Sequence, residues 1–300
     1  IDQHGGPLFG VAISPDGSLL ATAGYDNIAK IWKLDLSPGA ASAELLHALT
    51  GHAAGPPLGG TFPGLSSVAF SPDSTMLATG GVDNYAKVWD VKTGQELLSV
   101  QVDPDGSGVT RLAFNPDGLL LATASDDVPD VTLAKIWDVT SGREISTFSG
   151  HSQTGRIWGL AFSPDGKRVA SSGGAGVLKI WDTSSGEELL NIAGHSSVVT
   201  GVDFSPDGKY LASTSLDGTA RVWDASSGEE LRLYTNPSGP LYGVAFTPDG
   251  KNVIATGAGL VYGYIFDTQD LIRLATSRLT RWFTLDECRQ YLHRDDCPSR

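Results

Sequence analysis

The sequence predicts an all-β fold built from one repeated unit of short antiparallel strands. A turn tetrapeptide, Ser-Pro-Asp-Gly or a close variant, occurs six times in the 300 residues, at spacings of 57, 44, 48, 42 and 42. An apolar-aromatic pair follows each tetrapeptide by about eighteen residues. The 37 Gly and 16 Pro residues fit many short elements joined by tight turns. The tetrapeptides begin at Ser14, Ser71, Asn115, Ser163, Ser205 and Thr247, and the pairs are Ile31-Trp32, Val88-Trp89, Ile136-Trp137, Ile180-Trp181, Val222-Trp223 and Ile265-Phe266.

The fifth unit shows why each unit should contain four strands. Its tetrapeptide has Pro where a type I turn needs φ near −65° and Gly at the exit, so it reverses the chain between two apolar runs. A second turn, 216–218, leads into the alternating segment 219–223, and a third turn, 225–228, leads into 230–234. Alternation of this kind indicates half-buried strands, so the unit is four antiparallel strands.

These residues resemble the repeats of the WD-repeat β-propeller family, in which a unit of roughly 40–45 residues forms one four-stranded blade. The resemblance covers about 265 of the 300 residues and implies a propeller over residues 1–268. The six units imply either a six-bladed ring or part of a seven-bladed ring. Because Ile1 to His4 match the end of an outer strand, we expect a truncated N-terminus.

Members of this family commonly carry a hydrogen-bond chain of His, Ser or Thr, Asp and Trp in each blade. A hydrolase uses one such set at a cleft, whereas here the set recurs once per unit with an indole attached, so we interpret it as structural and not catalytic. Unit three has Asp105 in place of His, unit four has Ala175 in place of Asp, and unit six lacks both His and Asp. Three units carry complete sets, namely His4, Thr22, Asp26 and Trp32; His52, Thr79, Asp83 and Trp89; and His195, Ser213, Asp217 and Trp223.

Charge and cysteine content narrow the class of partner and the compartment. The formal charge is −13, from 21 basic and 34 acidic residues, which is the reverse of a nucleic-acid binder. No apolar stretch approaches the ~20 residues of a membrane span. The two cysteines lie in the last thirteen residues, so a disulfide framework is excluded for the rest of the chain. We therefore expect a cytoplasmic protein that binds neither nucleic acid nor membrane.

Residues 269–300 differ from the repeats and predict a short helical tail. Asp270 can cap one helix, and Thr284 with Glu287 forms a capping box for a second. The run 279–298 resembles the tail of large bacterial WD-repeat signalling proteins. That resemblance implies an upstream effector: a STAND-type nucleotide switch, a Ser/Thr kinase or a transcriptional regulator. Cys288, His293 and Cys297 fall short of a structural zinc pattern, and we predict no metal and no cofactor.

The resemblance also implies a binding surface on the narrow face of the propeller, around the central channel. Aromatic residues and Arg are common anchors of protein interfaces. We expect a non-catalytic interaction scaffold or sensor, since phosphate-loop, nucleophile-elbow and HExxH motifs are missing. The alternatives are a small molecule or carbohydrate bound in the channel, or a hydrolase sited there. The predicted contact residues are Phe9, Tyr25, Arg156, Trp158, Thr200 and Tyr242.

Overall fold

A computed structural model describes residues 4–37, 42–53, 64–103, 108–125, 133–151, 156–267, 269, 271 and 272. In these residues the chain forms six antiparallel sheets in sequence order, and each strand pairs with the next. Sheet 1 contains β1 (Leu8–Ile13), β2 (Leu19–Gly24), β3 (Ala29–Asp35) and β4 (Ser42–Leu49). Sheet 2 contains β5 (Leu65–Phe70), β6 (Met76–Gly81), β7 (Tyr85–Asp90) and β8 (Glu96–Gln101). Sheet 3 contains β9 (Val109–Phe114), β10 (Leu120–Ser125), β11 (Ala134–Asp138) and β12 (Glu144–Phe148).

The remaining sheets continue the same meander. Sheet 4 contains β13 (Ile157–Phe162), β14 (Arg168–Gly173), β15 (Val177–Asp182) and β16 (Glu188–Ala193), with a 3-10 turn at Gly174–Gly176. Sheet 5 contains β17 (Val199–Phe204), β18 (Tyr210–Ser215), β19 (Thr219–Asp224) and β20 (Glu230–Thr235). Sheet 6 contains β21 (Gly243–Phe246), β22 (Asn252–Gly257) and β23 (Leu260–Ile265). The fold is therefore a six-bladed β-propeller, and the described residues supply three strands of the sixth blade.

The repeated tetrapeptide forms the hairpin between the first two strands of each sheet. In sheet 5 the Ser205 hydroxyl donates to Asp207 Oδ1 at 2.7 Å and accepts from the Tyr210 N–H at 2.9 Å. Gly208 has φ of +70°, a left-handed conformation that glycine adopts at little cost. The polar side chains thus satisfy the backbone of the turn, and the predicted turn is present in all six sheets.

The sixth sheet departs from the predicted spacing. Its second hairpin turns at Ala258 and Gly259, which have φ of +50° and +76°, and is shorter than the matching hairpin of sheet 5. Val253 therefore pairs with Tyr264, as Leu211 pairs with Trp223 in sheet 5. The prediction that Phe266 replaces the tryptophan is wrong, because Tyr264, two residues earlier, occupies the paired position of the tryptophan.

The first strands of successive sheets lie side by side, from β1 and β5 through to β17 and β21, and we call them the inner strands. Small residues permit this approach. A Cβ atom on Gly159 would lie 3.0 Å from the Val202 backbone nitrogen in the next inner strand, and one on Gly201 would lie 3.2 Å from that of Val244. The apolar cores lie in the seams between neighbouring sheets, as where residues of sheets 4 and 5 form one buried cluster.

The first sheet of the series has an exposed apolar face. Leu8, Val11 and Ile13 of β1 are 45%, 69% and 62% exposed, whereas their counterparts in β17 are 0–8% exposed. On the opposite end, Val261 of β23 is 71% exposed. Within the described part of the chain, no extensive packing joins β21 to β1. The seam that would join the last sheet to the first is therefore open.

Two further predictions concern regions that the structure describes only in part. The predicted tail falls almost entirely outside the described residues, as do Cys288, His293 and Cys297, and the division at residue 268 stays a prediction.

In the residues that are described, no helix is long and apolar enough to cross a membrane.

Candidate functional site

Buried hydrogen-bond chains connect the strands within three sheets. In sheet 5 the His195 Nε2 lies 2.8 Å from the Ser213 Oγ, which also accepts from the Trp223 indole at 2.8 Å. The His195 Nδ1 lies 3.0 Å from an Asp217 carboxylate oxygen. Sheets 1 and 2 contain the same connections, formed by His4, Thr22, Asp26 and Trp32 and by His52, Thr79, Asp83 and Trp89.

Electrostatics in these chains fit a structural role. Burial opposes the charge of Asp217, but hydrogen bonds from Thr219, from the Ser196 N–H and from His195 outweigh burial and lower its pKa to about 2. Burial also lowers the pKa of His195. In sheet 4, where Ala175 replaces the acid, burial and the charge of Lys179 lower the pKa of His151 to about 4. The imidazoles of His151 and His195 are therefore neutral at pH 7 and are buried within their sheets.

The residue five positions before each tetrapeptide carries either a hydroxyl group or an aromatic ring, and the two kinds of side chain make different contacts. Where it holds a hydroxyl, the side chain bonds across the seam to the next sheet. Thr200 Oγ1 donates to the Leu241 carbonyl at 2.8 Å, Thr110 Oγ1 lies 3.4 Å from the Ile157 carbonyl, and Ser66 donates to the Val109 carbonyl. Thr200 is 6% exposed, so this predicted contact residue joins two sheets instead of facing a partner.

Where the same position holds an aromatic residue, the side chain reaches the surface. Tyr242 is 58% exposed, and Phe9 and Trp158 are partly exposed. The Arg156 guanidinium lies 5.0 Å from the Trp158 ring centroid. Tyr25, 49% exposed, lies in the turn after β2, at the sheet end where β1 begins. We call these five residues the aromatic rim: Phe9, Tyr25, Arg156, Trp158 and Tyr242.

Two charged residues on the inner strands were missed by sequence reasoning. Four residues before the tetrapeptide, the six sheets have Gly or Ser except for Arg111, and two residues before it they have Ala except for Asp203. Burial raises the pKa of Asp203 to about 6, although the Phe246 N–H donates to its carboxylate at 2.8 Å. A comparison of equivalent positions across the six units would have identified both residues.

Arg111 lies next to the aromatic rim. Its Nε donates to the Trp158 carbonyl at 2.6 Å and one Nη donates to the Thr110 carbonyl at 2.8 Å. Burial, together with the charge of Arg156, lowers the pKa of Arg111 to about 10. The rim thus combines exposed aromatic rings with two guanidinium groups.

The described residues contain no cluster of three His, Cys, Asp or Glu side chains that could hold a metal ion. A cavity of about 460 Å³ lies beside Tyr210 and Phe266, at the other end of the sheets. The alternative of a small molecule bound in the channel therefore has no specific support from the cavity.

Comparison with known proteins supplies the family context. Five segments match the family model described as "WD domain, G-beta repeat", over residues 1–33, 43–90, 95–127, 142–182 and 186–224. These segments comprise well over half of the chain, and their ends follow the repeating units described above.

Three curated proteins are similar to parts of this chain. The human apoptotic protease-activating factor 1 is 34% identical over 127 residues, which are 40% of this chain and 9% of the human protein. Subunit I of eukaryotic translation initiation factor 3 from Aspergillus fumigatus is 31% identical over 126 residues, 42% of this chain and 32% of that protein. Protein HIR1 from Yarrowia lipolytica is 30% identical over 136 residues, 41% of this chain and 12% of that protein. Each match spans less than a third of the relative.

Proposed function

The chain belongs to the family of WD-domain, G-beta repeat proteins, and we propose on this premise that its aromatic rim binds a protein partner without catalysing a reaction. Propellers of this family are generally interaction scaffolds. One relative is, by its name, a subunit of an initiation factor. Those facts support the class of function, and the exposed rings of the rim support the proposed location.

The observation that carries the proposal is the double use of one repeat position. Thr110 and Thr200 show that the fold needs only a hydroxyl there, bonded across a seam. Trp158 and Tyr242 place large rings at the same position, and Tyr242 remains 58% exposed. An exposed aromatic side chain that the fold does not require is well suited to anchor a partner.

The test replaces the rings by the residue that the repeat itself uses. The double variant Trp158→Thr, Tyr242→Thr should keep the fold, since Thr occupies this position in sheets 3 and 5. The matched control is Leu97→Thr, Leu189→Thr, which removes two exposed apolar side chains from the outermost strands β8 and β16. Partners are captured by cross-linking in cells and quantified by mass spectrometry.

We expect the rim variant to capture about tenfold less partner or lower. Two aromatic side chains that become buried in the complex should together contribute about 1.4 kcal/mol or more to binding. The control variant should capture as much as the wild type. Equal capture by the rim variant, with its melting temperature unchanged, would contradict the proposal.

We also propose that the propeller acts as the C-terminal part of a multidomain bacterial signalling regulator in the cytoplasm. The support for this context is the similarity of residues 279–298 to the tails of such proteins, whereas the relatives above are eukaryotic proteins, each longer than the segment that matches. The test is to read the gene upstream of Ile1. An open reading frame encoding a nucleotide switch or kinase supports the proposal, and a secretion signal contradicts it.

We further propose that one additional four-stranded sheet of the same repeat, from the same polypeptide, closes the open seam. Leu8, Val11 and Ile13 occupy positions that face the preceding sheet in all five other units. A second copy of this chain presents no described sheet with two uncovered faces, because each of its sheets already packs against a neighbour. Only an added sheet with two free faces could cover β1 and β23 together.

A further inference from the structure

One position of the inner strands has a small side chain in five of the six sheets. The position four residues before the tetrapeptide holds Gly10, Ser67, Gly159, Gly201 and Gly243 in five sheets. The sixth case is Arg111 in β9, whose side chain reaches the next inner strand and donates to the Trp158 carbonyl at 2.6 Å. The repeat therefore does not require a guanidinium at this position.

Arg111 has no acidic partner among the residues that the structure describes. Its hydrogen bonds go to two neutral carbonyls, those of Trp158 and Thr110. The charged group near it is another cation, Arg156, and that charge together with burial lowers the pKa of Arg111. Among the described residues, this largely buried charge faces neutral dipoles and a like charge, an arrangement that is costly for folding.

The two carbonyls occupy Nε and one Nη hydrogen, which leaves the other Nη hydrogens of the planar fork available. A guanidinium fork binds carboxylate and phosphate oxygens in a bidentate manner. This group contacts the main chain of Trp158, whose partly exposed ring lies 5.0 Å from the guanidinium of Arg156, and the charge of Arg156 acts on Arg111. The position thus offers a cation next to an apolar surface.

We propose that Arg111 binds an anionic side chain of the protein partner, a carboxylate or a phosphate, at the aromatic rim. This inference rests on the proposed function, and it adds the chemistry of the partner segment. The anion would neutralise the buried cation, while neighbouring apolar residues of the partner pack on Trp158 and Tyr242.

The net charge of −13 restricts the kind of segment that fits. A strongly acidic partner is repelled by the whole surface, although salt screens this repulsion beyond about 8 Å. One acidic residue in an otherwise neutral or basic segment is attracted by the local field of Arg111. We therefore expect a single anion flanked by apolar residues and not an acidic run.

The test selects peptides from a random dodecapeptide phage library on the 300-residue chain. Each selected peptide is synthesised with its acidic residue as Glu, as Gln and as phosphoserine, and affinities are measured by fluorescence anisotropy. Binding is compared in wild type, Arg111→Gly, Arg111→Lys and Arg143→Ser. Gly is the residue that most other sheets use at this position, and Arg143→Ser removes an exposed arginine elsewhere as the charge-matched control.

We expect wild type and Arg143→Ser to bind the Glu peptide about tenfold more tightly than the Gln peptide. Arg111→Gly should bind both equally and melt no lower than the wild type, and Arg111→Lys, which lacks the fork, should keep part of the preference. Tighter binding of the phosphoserine peptide would identify phosphate as the anion, and tighter binding of the Glu peptide a carboxylate.

Two results would overturn the inference: equal binding of the Glu and Gln peptides by the wild type, or an unchanged Glu preference in Arg111→Gly. The proposed function fails separately, if the selected peptides bind the Trp158→Thr, Tyr242→Thr variant as tightly as the wild type. Peptides that need the rings but show no anion preference would leave the rim proposal intact and reject the role of Arg111.

Discussion

The first and fifth repeats carry the same hydrogen-bond chain at identical spacing, yet their inner strands lie in different surroundings. Val202 in the fifth repeat is 8% exposed and packs against sheet 4, while Val11 at the same position of the first repeat is 69% exposed. The fifth repeat also has Asp203 where the first has Ala12, and Thr200 where the first has Phe9. Equivalent residues in a repeat protein therefore differ in energetic weight according to what the neighbouring sheet supplies.

The largest expected difference is at the seam-facing valine. Val202→Asp places a charge in the buried cluster between sheets 4 and 5 and should lower the free energy of unfolding by more than about 3 kcal/mol. Val11→Asp in the same 300-residue chain should change it by less than about 0.5 kcal/mol, because that side chain faces water. Urea denaturation measures both variants, and equal losses would mean that β1 is covered. In a longer protein that contains the proposed added sheet, Val11→Asp should become as damaging as Val202→Asp.

The second comparison concerns Asp217 and Asp26, the acids of the hydrogen-bond chains in the fifth and first repeats. Asp217→Ala leaves the His195 ring without its carboxylate partner and should cost about 2 kcal/mol at pH 7. Because the pKa of Asp217 is lowered to about 2, its contribution is complete above its ordinary pKa and is lost as pH falls through about 2. Asp26→Ala should cost less, about 1 kcal/mol, because the Asp26 side chain is 15% exposed compared with 7% for Asp217. Thermal melts at pH 7 and pH 3 give the measurement, and a larger loss from Asp26→Ala would contradict the ranking.

The third comparison predicts a gain in stability. The pKa of Asp203 is raised to about 6 in the folded protein. Between about pH 4 and pH 6 the folded protein therefore holds a proton that the unfolded chain has released. Stability is therefore lost as pH rises from about 4 through 6. Asp203→Ala, which copies Ala12, should gain about 1 to 2 kcal/mol relative to wild type on going from pH 4 to pH 7. Denaturation curves of both proteins at the two pH values isolate this effect, and a pH-independent difference between them would exclude it.

The smallest expected effect is at the rim position. Thr200→Val removes the hydroxyl that donates to the Leu241 carbonyl and should cost about 1 kcal/mol. Phe9→Val in the first repeat removes no such bond across a seam, and we expect a smaller change in the melting temperature. A loss from Phe9→Val that exceeds the loss from Thr200→Val would show that the ring also supports the fold.

Most of the fold could be predicted from local signals. Each tetrapeptide contains its own turn chemistry, with a proline-fixed φ, a hydroxyl that bonds the backbone and a glycine with positive φ, as Ser205 to Gly208 illustrate. The chain from His195 to Trp223 was likewise visible as a recurring spacing. The register of sheet 6 was not predicted correctly, because a shorter turn at Ala258 changes which residue pairs with Val253. The sequence has an aromatic residue at both Tyr264 and Phe266, so it does not distinguish the two registers.

The candidate site was harder to predict, because exposure depends on neighbouring sheets. Tyr242 and Thr200 occupy the same repeat position, but one ring reaches the surface and one hydroxyl joins two sheets. Arg111 and Asp203 were overlooked, since each is a single charged residue without a motif. Both become visible only when the six units are aligned position by position.

The sequence by itself determined the repeating unit, its turns and its internal hydrogen bonds, because those interactions lie within about forty residues. The turn recurs in all six units and the complete hydrogen-bond chain in three. Only the tertiary structure decided which copies of each position are buried. A seam needs two sheets, so Val202 is covered and Val11 is bare although their local sequences match. The same reason separates the structural threonines from the exposed rings, and it places Arg111 beside the carbonyl of Trp158.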